Sequence, residues 1–234
     1  MRQIVLDTET TGLEPSRGHR VIELAAVEIR DRRVTDGSFH RYLNPERESD
    51  EAALAVHGIS NEFLQDKPRF REVARDFLDF VSGAELIIHN AEFDVAFLDH
   101  ELALAGLEPL RRYCPQVTDT LRMAKELRPG KRNNLDALCE FYQVDNSGRT
   151  LHGALLDARL LADVYLAMTR GQDSLIREEE PPLRAAEPGA PARSRSLRVV
   201  AADAAELAAH AACLEGIDRE SKGRCLWKKL ESAP

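Results

Sequence analysis

Gln3-Ile4-Val5-Leu6-Asp7-Thr8-Glu9-Thr10-Thr11-Gly12 is the stretch whose pattern decides the architecture. Side chains alternate along a strand with period two, so Val5, Asp7 and Glu9 share one face while Ile4, Leu6 and Thr8 share the other. The stretch predicts a strand over Gln3–Glu9. Two carboxylates at i and i+2 on an apolar strand repel each other and lose hydration. Either they end a frayed strand in solvent, or they share something cationic.

Two further strands follow, Arg20–Arg30 and Arg33–Leu43, separated by turns that contain Gly, Asp and Arg. Helices are predicted over Asp50–His57, Phe70–Val81, Ala91–Ala105, Thr120–Leu127, Asn134–Tyr142 and Gly153–Thr169, with a short strand at Glu85–His89 and Asn90 as a helix cap. Three strands and then alternating helices and strands describe an α/β domain, a mixed sheet with flanking helices. The pattern ends near residue 171. Pro181–Ser196 carries 4 of the 11 prolines and reads as an extended linker. A helix candidate, Ala204–Leu214, and the apolar pair Leu226-Trp227 lie beyond it. The domains expected are 1–176, a flexible linker 177–196, and a tail 197–234 too small to hold a sound core alone.

The chain has 234 residues and a formal charge of -8. Its 32 basic and 40 acidic residues are unevenly spread: 10 of each lie in 177–234, so the whole acidic excess belongs to residues 1–176. That balance argues against a protein that grips nucleic acid by surplus Lys and Arg. No apolar run approaches the roughly 20 residues of a membrane span. Asp7 comes too early for a signal peptide, and Cys114, Cys139, Cys213 and Cys225 form no CxxC pair. A reducing cytoplasm is the expectation.

More carboxylates stand where a core should be. In Gly153–Thr169 the apolar stripe is Leu160, Leu161, Val164 and Met168, and Asp157 lies on that stripe. Asp94 stands likewise before Phe97 and Leu98, in a first turn whose dipole alone favours an acid. Four acids, Asp7, Glu9, Asp94 and Asp157, without an obvious basic partner suggest a shared cation. Oxygen-only ligands favour Mg²⁺ or Mn²⁺, and a pair of such ions is a device for phosphodiester cleavage. His152 precedes Asp157 by five residues and shares its face only if it lies ahead of the helix, a switch that Gly153 permits. The helix dipole there disfavours an imidazolium, which suits a general base. For a histidine taken alone, a surface or capping role is the alternative.

Three motifs, Asp7-Thr8-Glu9-Thr10-Thr11-Gly12, His89-Asn90-Ala91-Glu92-Phe93-Asp94 and His152-Gly153-Ala154-Leu155-Leu156-Asp157, resemble in order and spacing those of the DEDD-type 3′–5′ exonucleases, histidine subclass. The resemblance implies a ribonuclease-H-like fold. It implies that Asp7, Glu9 and Asp157 hold one divalent cation, that Asp7 bridges to a second supported by Asp94, and that His152 deprotonates the attacking water. Thr11, Gly12, Leu13 and His57 are implied neighbours of the 3′-terminal nucleotide. Pro129–Leu138, Arg149–His152 and the tail segments Leu197–Val200, Glu206–His210 and Cys225–Trp227 further resemble the proofreading subunits of bacterial replicative polymerases. That likeness implies a polymerase partner bound through the tail, Leu226 and Trp227 included, with a small stabilising subunit as a further partner. Such proteins often carry a clamp-binding segment ending in an aromatic. Gln172–Ile176 keeps its start but lacks the aromatic, which leaves clamp binding doubtful.

The leading expectation is metal-dependent removal of mispaired 3′-terminal deoxynucleotides. RNA 3′-end trimming is the rival enzyme activity, and a mainly structural, polymerase-tethered subunit is the rival of another class.

Overall fold

The structure is a computed structural model and describes residues 2–149, 151–170, 202–223 and 225–227. Five strands form one mixed sheet in the order β3-β2-β1-β4-β5. They are β1 (Arg2–Thr10), β2 (Val21–Arg30), β3 (Arg33–Tyr42), β4 (Glu85–Ile88) and β5 (Val117–Asp119). β1 to β3 form an antiparallel meander, while β4 and β5 add in parallel on the far side of β1. Parallel neighbours need a crossover, and helices α1 (Glu51–His57), α2 (Asn61–Leu64), α3 (Phe70–Val81) and α4 (Ala91–Leu104) lie in those connections. Helices α5 (Thr120–Leu127), α6 (Leu135–Tyr142) and α7 (Ala154–Met168) follow β5.

The period-two pattern of β1 sorts its side chains into two cores. Ile4 and Leu6 join Phe70, Phe77 and Phe97 of α3 and α4. Val5 joins Leu160, Leu161 and Val164 of α7 on the other face. β1 is therefore covered on both sides, and near its C-terminal end Glu9 is 8% exposed and Asp7 half-buried. The frayed-end alternative fails for this reason.

The chain divides into two compact units, Met1–Glu179 and Glu180–Pro234. In the second, helix α8 (Ala204–Glu220) is closed at its start by a capping box. There the Glu206 N–H donates to Asp203 Oδ1 and the Asp203 N–H to Glu206 Oε2. Gln172–Ile176, the linker 177–196 and Leu197–Val200 lie outside the described residues. Among the described residues, no helix is long and apolar enough to cross a membrane, and the four cysteines are free.

Several expectations need correction. Asn90 occupies the cap position of α4 but makes no side-chain cap, because its backbone is left-handed (φ 67°). α8 runs six residues past Leu214, through Glu215-Gly216, where the apolar pattern lapses. β5 and α2 are absent from the sequence prediction, since three or four residues leave no measurable periodicity.

Candidate active site

The bulge at Glu9/Thr10 ends the regular pairing of β1 with β2, and the acids gather there. Asp7 faces α7 from β1, and Asp157 faces back from the first turn of that helix, 4% exposed. Both line one cleft with His89, Asp136, Arg149 and His152. Ligand atoms of Glu9, His152 and Asp157 lie within 4.8 Å of one another. Asp7 and Asp94 stand outside that tightest group. Asp94 approaches from α4, 3% exposed, and accepts a 2.7 Å hydrogen bond from Thr8 Oγ1.

Burial and crowding set the electrostatics. Desolvation raises Asp7 well above the usual carboxylate range, and Asp94, Glu9 and Asp157 add to the rise. Desolvation, then Asp157 and Glu23, push Glu9 up to about 8. Desolvation lifts Asp94 to about 7 against the opposing bond from Thr8. Such acids resist ionisation without a nearby cation. Hard oxygen donors around a buried negative field therefore fit divalent cations, and the donor chemistry here passes that test.

His152 lies ahead of α7, whose N-cap is Gly153 in an extended conformation (φ -160°), so the loop-to-helix switch is real. Its backbone N–H donates to Val56 O at 3.2 Å, tying this loop to α1. Its ring is half-exposed, and Arg149 Nη2 stands 2.9 Å from Nδ1. A ring nitrogen that accepts from a guanidinium carries a lone pair rather than a proton.

A neighbouring cavity of about 360 Å³ is lined by Glu9, Gly12, Leu13, Val56, His57 and Phe93, among others. Leu13 is 77% exposed at its rim. His57 is 4% exposed, and its Nδ1 accepts from the Ile59 N–H at 3.0 Å. That bond places the proton on Nε2, which is buried with no partner. Burial lowers the His57 pKa. Thr11 does not line the cavity: it is fully buried, and its hydroxyl accepts from the Arg20 N–H. Gly12 is needed for a close approach, though the neighbour is His19, whose ring atoms lie 2.6 Å from where a Cβ would stand.

Three contributors were not foreseen. Glu23, the cross-strand partner of Glu9, is 2% exposed and accepts from the Ala154 N–H and from His40. Its only sequence signal is an acid at an inward position of an apolar strand. His89 lines the cleft, bonded to Thr120 and lowered in pKa by burial. Arg149 grips Asp157 through two bonds, Nε–Oδ1 at 2.6 Å and Nη2–Oδ2 at 2.7 Å. Asp157 therefore has a basic partner, contrary to expectation.

This sheet, with acids from β1, α4 and α7 converging beside a histidine loop, defines a nuclease class. A family model described as Exonuclease matches residues 4–165. DNA polymerase III subunit epsilon of Pasteurella multocida is 51% identical over 237 residues, covering 97% of this chain and 94% of the relative. The Escherichia coli K12 protein of the same name is 49% identical over 238 residues, covering 97% of each. The chain belongs to the DNA polymerase III epsilon family of exonucleases, and its activity is that of a 3′–5′ exonuclease on DNA. Solved structures agree on the fold. Exonuclease X in complex with 5′-overhanging duplex DNA matches with a TM-score of 0.55 at 24% identity, covering 73% of this chain and 93% of that one. The nuclease domain of 3′hExo, a DEDDh family member bound to rAMP, matches with a TM-score of 0.62 at 19% identity, covering 74% and 92%.

Proposed function

We propose that this chain is the proofreading subunit of a bacterial DNA polymerase III, removing mispaired 3′-terminal deoxynucleotides one at a time. The observation that carries the site assignment is the convergence of Glu9, His152 and Asp157 within 4.8 Å beside the His57 cavity.

Asp7, Glu9 and Asp157 would hold one divalent cation, and Asp7 with Asp94 a second, Mg²⁺ or Mn²⁺ in the cell. Bound there, such ions supply a more acidic water and neutralise charge on the scissile phosphate and leaving oxygen. His152 takes the proton of the attacking water at a ring nitrogen, held near the phosphate by its bond to Val56 and by Gly153. The terminal nucleoside enters the cavity against Gly12, Leu13 and His57, with the Nε2–H of His57 as a donor aimed at an acceptor oxygen. Thr11 supports that wall from behind through Arg20. A frayed, mispaired end reaches this cavity more readily than a paired one, which gives selectivity without reading bases.

The proposed domains are an exonuclease domain 1–176, a linker 177–196 and a polymerase-binding tail 197–234. The tail would engage the polymerase III alpha subunit through Leu226 and Trp227, which are 71% and 64% exposed. A theta-type subunit is a further proposed partner, clamp binding through Gln172–Ile176 stays doubtful, and the setting is the bacterial cytoplasm. A tethered nuclease does not need a basic surface of its own, since attachment supplies the local concentration.

The test is purified protein with Mg²⁺ and a 3′-mismatched primer, with matched RNA as the competing substrate. Rapid release of mononucleotides from DNA is expected, and loss of release in Asp7→Ala and His152→Ala. Undiminished activity in either variant, or preference for RNA, would overturn the assignment.

A further inference from the structure

Arg149 is the basic residue among those lining the acidic cleft, His89 and His152 aside. It lies in the loop between α6 and α7, yet its side chain is only 7% exposed. All three guanidinium nitrogens are engaged. Nε and Nη2 fork onto the two oxygens of Asp157, Nη2 also stands 2.9 Å from His152 Nδ1, and Nη1 reaches Asp136 Oδ1 at 2.7 Å. A planar fork of this kind matches a carboxylate edge to edge and is the strong form of such a bond. The partner carboxylate is the one that the cleft contributes from α7 to a cation. Of the charges acting on Glu9, Arg149 is also the one that opposes the surrounding acids.

We infer that Arg149 is a positioning residue that serves as resident counter-cation of Asp157 and competes with the divalent cation for that carboxylate. In this role it sets the cation affinity of the cleft and restrains His152 until the cation arrives. The inference rests on the assignment of Asp157 as a cation ligand.

The physical argument is exchange of one cation for another. Without a divalent ion, Asp7, Glu9, Glu23, Asp94 and Asp157 form a crowded acidic cluster, and the guanidinium supplies the positive charge that Asp157 needs. An ion that approaches must share or displace that fork and tolerate a buried positive charge beside it. The loop is built to hold the arginine in place while this happens. Leu151 packs over Gly58, its Cδ1 only 2.6 Å from where a Cβ would stand, and the His152 N–H is bonded to Val56 O. The backbone just after Arg149 is thus pinned to α1 at two consecutive residues, Leu151 and His152. A loop tether of purely structural purpose would make the opposite prediction for the cation, since loosening the loop would scatter its ligands.

The experiment is calorimetric titration of the DNA-free full-length chain with Mn²⁺, for wild type, Arg149→Gln, Arg149→Lys and Asp157→Asn. Arg149→Gln should bind the first Mn²⁺ about fivefold or more tightly than wild type, in the range of ordinary site-to-site coupling. Arg149→Lys, which keeps the charge and loses the fork, should fall between. In the exonuclease assay, Arg149→Gln should need less Mn²⁺ for half-maximal rate while its maximal rate falls, because His152 has lost its restraint. Unchanged or weaker Mn²⁺ affinity in folded Arg149→Gln overturns the inference. If that variant does not fold, Arg149→Lys decides, and wild-type affinity there overturns it equally. Equal Mn²⁺ binding by wild type and Asp157→Asn removes the ligand assignment itself, a separate outcome that takes the inference with it.

Discussion

Glu23 of β2 accepts the backbone N–H of Ala154, the first residue of α7, at 3.1 Å across a separation of 131 residues. The same carboxylate bonds His40 Nε2 at 2.7 Å and the Tyr42 hydroxyl. A helix start leaves N–H groups unsatisfied, and here a side chain from the sheet satisfies one of them. The consequence is positional, because α7 carries Asp157 and begins two residues after His152. Glu23→Ala should lower kcat by about 10-fold or more, the usual scale for residues that orient a site from behind it, while the KM for primer stays within a few-fold. Glu23→Gln keeps acceptor oxygen and shape and should recover most of the rate. Steady-state kinetics on a mismatched primer check this, and equal loss in both variants would mean that charge, not placement, is what Glu23 supplies.

The acids predict an unusual pH dependence of stability. Glu9 rises from the usual carboxylate range to about 8, Asp94 rises to about 7, and Asp7 also rises, all chiefly through burial. A carboxyl whose folded pKa exceeds its unfolded one adds stability that is fully present below the unfolded value and lost as pH rises through the folded value. Cation-free protein should therefore lose melting temperature progressively between about pH 4.5 and pH 8, by several degrees. Millimolar Mg²⁺ or Mn²⁺ should remove most of that slope, and Glu9→Gln should flatten it without any cation. Thermal melts in chelator at pH 5, 6.5 and 8 are the measurement. A slope that cation and Glu9→Gln both leave untouched would place its origin elsewhere.

What the sequence disclosed, and what it hid, follows from how far apart the interacting residues lie. Asp7 and Glu9 are legible because period two puts both on one face of a strand that is apolar elsewhere. Asp157 is legible because the stripe of Leu160, Leu161 and Val164 fixes its direction. His152 is legible once Gly153 is allowed to break the helix. Each inference uses residues within about one helical turn or a few strand positions. Glu23 and Arg149 are different. Glu23 acts on Ala154 from another element altogether, and as an acid in Val21-Ile22-Glu23-Leu24 it carries no mark of its partner. Arg149 reaches Asp157 across eight residues and a loop-to-helix corner, a path that no periodicity describes. Thr11 is hard to read for a related reason. Nothing in Thr10-Thr11-Gly12 marks the Thr11 hydroxyl as the acceptor of the Arg20 N–H, a bond that spans nine residues.

His57 offers a tautomer-specific prediction. Its Nδ1 is spent on the Ile59 N–H, which leaves the Nε2–H as the group that the proposed nucleotide contact would use. An orphaned buried donor costs stability unless something uses it. Glutamine carries its amide nitrogen near the position of Nε2, whereas the shorter asparagine reaches only the position of Nδ1. His57→Gln should therefore retain more activity than His57→Asn or His57→Ala, with the loss appearing mainly in KM. Kinetics with mononucleotide inhibition as a second readout check it. The reverse order, with asparagine the better substitute, would assign the ligand contact to Nδ1 instead.

The buried pair Arg20–Glu101 tests how the cavity wall is held. Arg20 Nε and Nη2 reach the two oxygens of Glu101 at 2.7 Å each, and the Val21 N–H donates to Oε1. Glu101 is 2% exposed on α4, and Arg20 fixes the Thr11 turn through both its backbone groups. Removing one partner of a buried pair strands the other charge, at a cost of about 3–5 kcal/mol. Glu101→Ala should show that loss in denaturant unfolding, and Glu101→Gln a smaller one, because its amide still accepts one of the bonds.

The tail makes its prediction through apolar surface. Leu226 and Trp227 are adjacent and mostly exposed, while Leu214 and Cys225 of the same unit are buried. Large aromatic side chains left in water are characteristic anchors of protein interfaces, where a few residues dominate the affinity. Trp227→Ala should weaken association with the polymerase alpha subunit by more than about 2 kcal/mol, the scale of such an anchor. The exonuclease rate of the isolated chain on a mismatched primer should remain that of wild type, because the proposed catalytic acids and His152 all lie in the other unit. Co-purification and a binding titration, run beside the primer assay, separate the two effects. Retained binding together with lost nuclease activity would show that Trp227 serves the catalytic unit rather than the attachment.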